Sequence, residues 1–136
     1  MFPRDASRNV DTTTPLRFLG VGALNTLAGL AIIYVGKGIL QFGDVASNAL
    51  GYGCGIALSF ILNRRWTFAH AGAAWPALVK FLVSIAVAYA ANLAAVIVAI
   101  EAGMNSYAAQ AIGIPIYTAV TYWGSRRYAF AAAAPR

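Results

Sequence analysis

The sequence predicts an all-α integral membrane protein with four transmembrane helices, built as two parallel-repeat helical hairpins with both termini cytoplasmic. Three observations predict this fold: the composition, the position of the charges and an internal repeat. Of the 136 residues, 60% are apolar, and only ten Lys or Arg and four Asp or Glu carry a charge. About a quarter of the residues of a soluble domain are charged. With mean hydropathy +0.67 and one cysteine, the composition excludes a disordered chain, a disulfide scaffold and an ordinary soluble enzyme.

Charged residues separate four apolar runs, and each run is long enough for a helical span of about 20 residues. We expect spans at residues 16–36, 45–62, 77–100 and 107–124. The membrane domain then covers 16–130, between a cytoplasmic tail at 1–15 and a C-terminal tail at 131–136. Pro115 lies inside the fourth run, where we expect a kink rather than a break. We expect the first run to be a retained helix, because it is too long for a typical signal-peptide core.

Lys and Arg are distributed unevenly between the two predicted sides of the membrane. One side has Lys37 alone, together with the acidic Asp44 and Glu101. The other side carries nine basic residues: Arg4, Arg8, Arg17, Arg64, Arg65, Lys80, Arg126, Arg127 and Arg136. Because cytoplasmic segments of membrane proteins are enriched in Lys and Arg, we expect both termini and the loop at 63–76 to be cytoplasmic.

The two halves of the chain resemble each other. Residues 48–68 align with 110–130 at an offset of 62, with six identities in 21 positions, and both segments end in Arg-Arg-aromatic-x-Phe. Before the first and third spans, Arg17-Phe18-Leu19 matches Lys80-Phe81-Leu82 at an offset of 63. Two spans in each repeat give the repeats one orientation, so we expect a pseudo-twofold axis along the membrane normal.

A stripe of small and polar residues runs along one face of the second span, and the fourth span repeats it. Its members are Asn48, Gly51, Gly55, Ser59 and Asn63 in the second span and Gln110, Gly113, Tyr117, Thr121 and Ser125 in the fourth. Small residues at this spacing are typical of tight helix packing, which we favour for the glycines. For the amides Asn25, Asn48, Asn92 and Gln110 we favour a polar path, because carboxamides inside a bilayer need partners and a sugar hydroxyl is one. Ser59, Asn63 and Thr121 are candidates for the same path.

Six cations border the predicted cytoplasmic side: Arg17, Arg64, Arg65, Lys80, Arg126 and Arg127. One interpretation is that they set the topology and anchor the protein to anionic lipid. The other is a phosphate or lipid head-group site, because guanidinium offers a planar fork to phosphate oxygens. We weigh the two evenly for Arg64 and Arg126.

Several kinds of chemistry lack a sequence signature here. The sequence has neither Cys/His metal spacing nor a nucleotide-binding P-loop, and His70 is its one histidine. We therefore expect no metal, no cofactor, no enzymatic activity and no nucleic-acid partner. Asp44 and Glu101 lie at the predicted outer edge of the membrane. A proton-coupled small multidrug-type exporter needs a carboxylate deep in the bundle, so we rank this function behind two others.

The chain resembles the GtrA-like family of small bacterial membrane proteins over about residues 16 to 130. The most specific match is Ser59-Phe60-Ile61-Leu62-Asn63-Arg64-Arg65-Trp66-Thr67-Phe68. Weaker matches are Arg17-Phe18-Leu19-Gly20-Val21-Gly22, Asn25-Thr26, Asn48, Gly51, Lys80-Phe81, Asn92, Gln110 and Arg126-Arg127-Tyr128-Ala129-Phe130. Ala129 is a mild departure from the family's closing pattern, which often has Val at this position.

The resemblance implies a multi-pass protein of the bacterial inner membrane that moves a polyprenyl-phosphate-linked sugar for glycosylation of surface polysaccharide. It implies membrane lipid and a membrane glycosyltransferase of the same pathway as partners. With no energy-coupling motif in the sequence, transport would run downhill. The alternative is a non-transporting scaffold that recruits the glycosyltransferase. Four short helices enclose little volume, so a homodimer is a further expectation.

Overall fold

The computed structural model describes residues 13–131, and this part of the chain is helical and contains no strand. Its helices are α1 (Thr13–Gly38), α2 (Asp44–Leu62), α3 (Ala74–Glu101) and α4 (Ser106–Gly124). Both α1 and α3 begin three residues before the predicted spans. Pro15 and Pro76 therefore lie in first turns, where the missing N–H has no intrahelical partner to lose. Residues 1–12 and 132–136 of the predicted tails lie outside the described residues.

Three helical segments are long and apolar enough to cross a membrane: Thr13–Gly38, Asp44–Thr67 and Ala74–Glu101. The fourth helix, α4, continues through Pro115 without a break, as expected. It is not among these three segments, and Gln110, Pro115, three Tyr and two Thr lie within it. The chain is thus an all-helical membrane protein with three candidate spans and a fourth helix, and a crossing by α4 stays a prediction.

The chain divides into two compact units, Met1–Ala69 and His70–Arg136. The first unit pairs α1 with α2, and the second pairs α3 with α4. In the turn of the first pair, Lys37 Nζ lies 2.5 Å from Asp44 Oδ1. The turn of the second pair uses Gly103 at φ +94°, a conformation that glycine adopts at little cost. Asn105 then caps α4 by accepting the Ala108 N–H at 2.9 Å.

The segments after α2 and α4 are helical, which corrects the prediction of a loop beginning at residue 63. Asn63–Thr67 and Ser125–Ala129 each form a π-helical turn that extends the preceding helix. The Phe68 N–H donates to the Asn63 carbonyl at 2.9 Å, and the Phe130 N–H donates to the Ser125 carbonyl at 2.8 Å. These i→i+5 bonds keep the backbone satisfied while the wider turn redirects the side chains. The connection to α3 is therefore only residues 68–73.

The same contacts recur inside the two units at the offsets of the sequence repeat. The rings of Phe18 and Phe68 lie 6.2 Å apart in the first unit, and those of Phe81 and Phe130 lie 5.7 Å apart in the second. The two π-helical turns are also 62 residues apart. Recurring contacts of this kind are what an internal duplication predicts, whereas the symmetry axis relating the two units stays a prediction.

Candidate functional site

The polar stripe of α2 faces α1 and forms a close seam inside the first unit. Gly51 and Gly55 are buried there. A Cβ on Gly55 would lie 2.7 Å from Asn25 Oδ1, and one on Gly51 would lie 3.0 Å from the Gly29 carbonyl oxygen. The helices can approach this closely because neither glycine carries a side chain. The packing interpretation therefore fits Gly51 and Gly55.

The stripe of α4 forms the corresponding seam against α3 in the second unit. Gly113 is buried, and the side chains of Asn92 and Val96 occupy the space where its Cβ would be. Asn25 and Asn92 are half-buried, so each seam holds one amide from the first helix of its pair. The Asn25 Oδ1 atom is buried and accepts no hydrogen bond from the residues that the structure describes.

The other predicted path residues divide into seam residues and exposed residues. Thr121 is buried and donates to the Tyr117 carbonyl at 2.8 Å, and half-buried Ser59 accepts from Asn63 Nδ2 at 3.2 Å. Asn48 and Gln110 are exposed near the helix starts, and Asn48 Nδ2 donates to the Asp44 carbonyl at 2.8 Å. The structure thus places the stripe partly inside packed seams and partly on the surface of each unit.

The basic end of the first unit is where α1 starts and α2 ends. Here the Arg17 guanidinium carbon lies 5.4 Å from the centre of the Trp66 ring, and its Nη1 donates to the Trp66 carbonyl at 3.3 Å. Arg64 is half-buried, whereas Arg65 is exposed. The π-helical turn brings Trp66 back to α1, so the predicted cations Arg17, Arg64 and Arg65 share one end of the hairpin.

The basic end of the second unit has the equivalent arrangement. Lys80 Nζ lies 5.3 Å from the centre of the Tyr128 ring. The guanidinium carbon of Arg127 lies 4.7 Å from the Trp123 ring centre. Arg126 Nη1 donates to the Tyr122 hydroxyl at 3.1 Å. Stacking on a ring occupies the face of a guanidinium and leaves the N–H donors at its edge available to an anion.

Buried oxygens lie at the π-helical turns. Asn63 and Ser125 are repeat equivalents, and both are almost fully buried. Asn63 Oδ1, Ser125 Oγ and Thr67 Oγ1 have no hydrogen-bond partner among the described residues. Leaving such a group unsatisfied typically costs about 1–3 kcal/mol. Each turn therefore has hydrogen-bonding capacity that the described part of the chain leaves unused.

Sequence reasoning did not identify the aromatic partners of the cations. Trp66, Tyr122, Trp123 and Tyr128 are not among the predicted site residues. Two signals point to them. Trp66 and Tyr128 occupy the aromatic position of the repeated Arg-Arg-aromatic-x-Phe motif, and Tyr122 and Trp123 precede Arg126 and Arg127 by four residues, which is one helical turn.

The described residues contain no group of three His, Cys, Asp or Glu side chains that could hold a metal ion. What they offer instead is a cluster of cations on aromatic rings at one end of each hairpin. This arrangement can bind an anionic group next to an apolar surface.

Comparison with known proteins agrees with the resemblance in the sequence. No curated protein matches the chain significantly. Residues 17–130, however, match the family model described as "GtrA/DPMS, transmembrane domain". This match begins at Arg17, ends at Phe130 and covers all four helices apart from the first residues of α1. The chain belongs to the GtrA/DPMS transmembrane-domain family.

Proposed function

We propose that the protein translocates a polyprenyl-phosphate-linked sugar across the bacterial inner membrane for glycosylation of cell-surface polysaccharide. Family membership is consistent with a membrane protein of a glycosylation pathway. The observation that carries the proposal is the repeated basic end. Arg17 over Trp66 in the first unit and Lys80 over Tyr128 in the second hold a cation at equivalent positions.

A phosphodiester entering the bilayer must exchange its hydration for contacts with protein. Isolated charges are expensive in hydrocarbon, so capture has to precede crossing. Arg126 and Arg127 supply forked donors beside the aromatic rings of α4. The exposed amides of Asn48 and Gln110 offer hydrogen bonds of the kind that sugar hydroxyls need. Transport would run downhill, drawn by consumption of the sugar on the far side.

The test is a translocation assay with purified protein in liposomes. A polyprenyl-phosphate sugar is placed in both leaflets, and an impermeant reagent reports how fast the inner pool becomes accessible. We expect a rate well above that of protein-free liposomes, and a rate that rises with the number of protein copies in each vesicle. A rate equal to that of protein-free vesicles for all lipid-linked sugars tested would reject the proposal.

The second candidate function is a scaffold that holds a membrane glycosyltransferase. The observation that favours it is that both hairpin seams are tightly packed. Gly55 lies against Asn25, and Gly113 lies against Asn92, so neither seam is an open polar channel within its own unit. A scaffold would copurify with the glycosyltransferase and raise its membrane-bound fraction, yet give no translocation when purified alone.

A further inference from the structure

A groove of about 460 Å³ lies between α3 and α4, towards the basic end of the second unit. Its walls are almost entirely apolar. They are formed by Val83 and Val87 from α3 and by Ala119, Val120 and Trp123 from α4, with Tyr128 of the π-helical turn at the basic end. Val87 and Ala119 are exposed at the groove surface. An apolar surface this size inside one hairpin can hold a hydrocarbon chain.

The sequence repeat identifies two small residues beside this groove. Ser84 and Gly124 line it, and they are the equivalents of Val21 and Leu62 in the first unit. Val21 is almost fully buried, so its side chain fills the first hairpin at this level. In the second hairpin a Cβ on Gly124 would lie only 2.6 Å from Ser84 Oγ. Because Ser84 and Gly124 are small, α3 and α4 come close together at this level, and neither side chain fills the groove beside them.

Two cations stand over the aromatic rings that line this groove. Lys80 Nζ lies 5.3 Å from the ring centre of Tyr128, and the Arg127 guanidinium lies 4.7 Å from that of Trp123. The one acidic residue between 70 and 136 is Glu101, at the opposite end of α3. It is about 30 Å from Lys80 along the helix. The described part of the second unit therefore has no side-chain carboxylate near these cations, and their charge favours an external anion.

We propose that this groove binds an anionic isoprenoid lipid, with one polyprenyl chain along the groove and its phosphate on Lys80 and Arg127. This inference rests on the proposed function. It places the lipid that the protein would translocate in the second unit. A groove within one helix pair suits a single chain, whereas a diacyl phospholipid carries two. The groove is apolar, and two cations lie at its basic end. A polyprenyl phosphate has the matching arrangement, an apolar chain with an anionic head group.

The test is a binding titration of the full-length protein in detergent, with bound lipid counted by native mass spectrometry. Ala119→Phe fills the groove from an exposed position. Its matched control is Ala57→Phe, because Ala57 is the equivalent exposed residue of the first unit. We expect Ala119→Phe to weaken polyprenyl-phosphate binding roughly tenfold or more, since the CH2 groups that the ring displaces lose their burial in the groove. Ala57→Phe should bind like the wild type.

A second pair of variants tests the same groove from α3, so that the test does not depend on Ala119→Phe folding correctly. Val87→Phe narrows the groove from α3, and Leu24→Phe is its equivalent in the first unit, with both wild-type side chains about half exposed. We expect binding to fall for Val87→Phe and not for Leu24→Phe. Equal losses in the two units, or no loss for both groove variants, would overturn the assignment.

The lipid arms of the titration test the chemistry of the occupant. Lys80→Gln and Arg127→Gln should weaken binding of polyprenyl phosphate but leave the weaker binding of uncharged polyprenol unchanged. Diacyl phosphatidic acid that bound as tightly and responded to Ala119→Phe in the same way would overturn the choice of an isoprenoid. Because binding is measured without a bilayer, a protein that fails to translocate lipid can still confirm this site, and a translocating protein can still refute it.

Discussion

The guanidinium of Arg17 stacks over the indole ring of Trp66, and one of its nitrogens donates to the backbone carbonyl of the same residue at 3.3 Å. This contact connects the beginning of α1 to the π-helical turn that follows α2. In the second unit Lys80 and Tyr128 make the equivalent contact at 5.3 Å, with a different cation and a different ring. The pairing of a cation with an aromatic ring is thus kept in both repeats while the residue types change.

A double-mutant cycle should measure the Arg17–Trp66 contact. We expect the combined Arg17→Ala and Trp66→Ala substitutions to show a coupling of about 0.5–1 kcal/mol, the usual size for an exposed cation–π pair. The measurement is the free energy of unfolding in mixed micelles. Arg17→Ala combined with Tyr34→Ala is the control, because Tyr34 is near the other end of α1 and should be additive. Additivity in both pairs would show that the contact contributes nothing.

Gly51 should be far less tolerant of a side chain than Gly53, two residues further along α2. A Cβ at Gly51 would overlap Ile33 and lie 3.0 Å from the Gly29 carbonyl oxygen, whereas a Cβ at Gly53 meets nothing within 4 Å. We expect Gly51→Ala to lower the free energy of unfolding by about 1–3 kcal/mol, the typical cost of overpacking. Gly53→Ala should be neutral or stabilising, because Ala favours helix over Gly. Similar stabilities for both variants would contradict the packed seam.

Replacing Arg126 by Lys should impair transport without affecting insertion. Lys keeps the charge and loses the planar fork. A charge-assisted hydrogen bond is worth about 1.5–3 kcal/mol, so we expect roughly ten- to a hundredfold weaker apparent affinity. Arg64→Lys should act in the same way. The measurement is the initial translocation rate against lipid-sugar concentration at matched protein levels.

The controls for the arginine series are Arg4→Lys and Arg8→Lys, in the N-terminal tail outside the described residues. These two substitutions should have no effect, because Lys and Arg are equally good topology signals. Arg126 is exposed, so its substitution tests binding more directly than that of half-buried Arg64. Wild-type rates for both Arg64→Lys and Arg126→Lys would show that these residues are anchors, and the phosphate assignment would then be dropped.

Single cysteines should report the predicted orientation. After Cys54→Ala, cysteines at Gly43 and Ser106 should react with an impermeant thiol reagent in intact cells, and a cysteine at Ala71 should not. Ala71 is suitable because it is exposed in the connection between α2 and α3. Labelling at Ala71 in intact cells would reverse or reject the topology. Labelling of all three positions after permeabilisation is the control for reactivity.

Much of the fold could be predicted because its signals are local in the chain. The apolar runs predict the helices, and the repeated Arg-Arg-aromatic-x-Phe motif predicts that both hairpins end alike. The structure confirms a helix at each run and places Phe68 and Phe130 in matching contacts. Hydropathy and motif spacing depend on residues close in sequence, so both can be read without knowing how the helices pack.

The start of the connection between α2 and α3 was predicted wrongly. The charged Asn63-Arg64-Arg65 segment predicts the end of a span and the start of a loop at 63–76. In the structure the helix continues through it as a π-helical turn, and so does its counterpart after α4. The charges end the apolar run, but a helix ends where its hydrogen bonds and packing end. Trp66 and Phe68 pack back on α1, and this contact favours keeping the segment helical.

By itself the sequence determined the all-helical membrane character, the internal repeat and the basic end of each hairpin. Only the tertiary structure decided which polar residues lie in a seam, as Asn25 does, and which are exposed, as Gln110 is. It also decided that a groove opens beside Ser84 and Gly124. The physical reason is that the space between two helices depends on the sizes of facing side chains from both. Ser84 and Gly124, which are 40 positions apart in the chain, together determine that space. The pattern of residues within one helix therefore does not predict it.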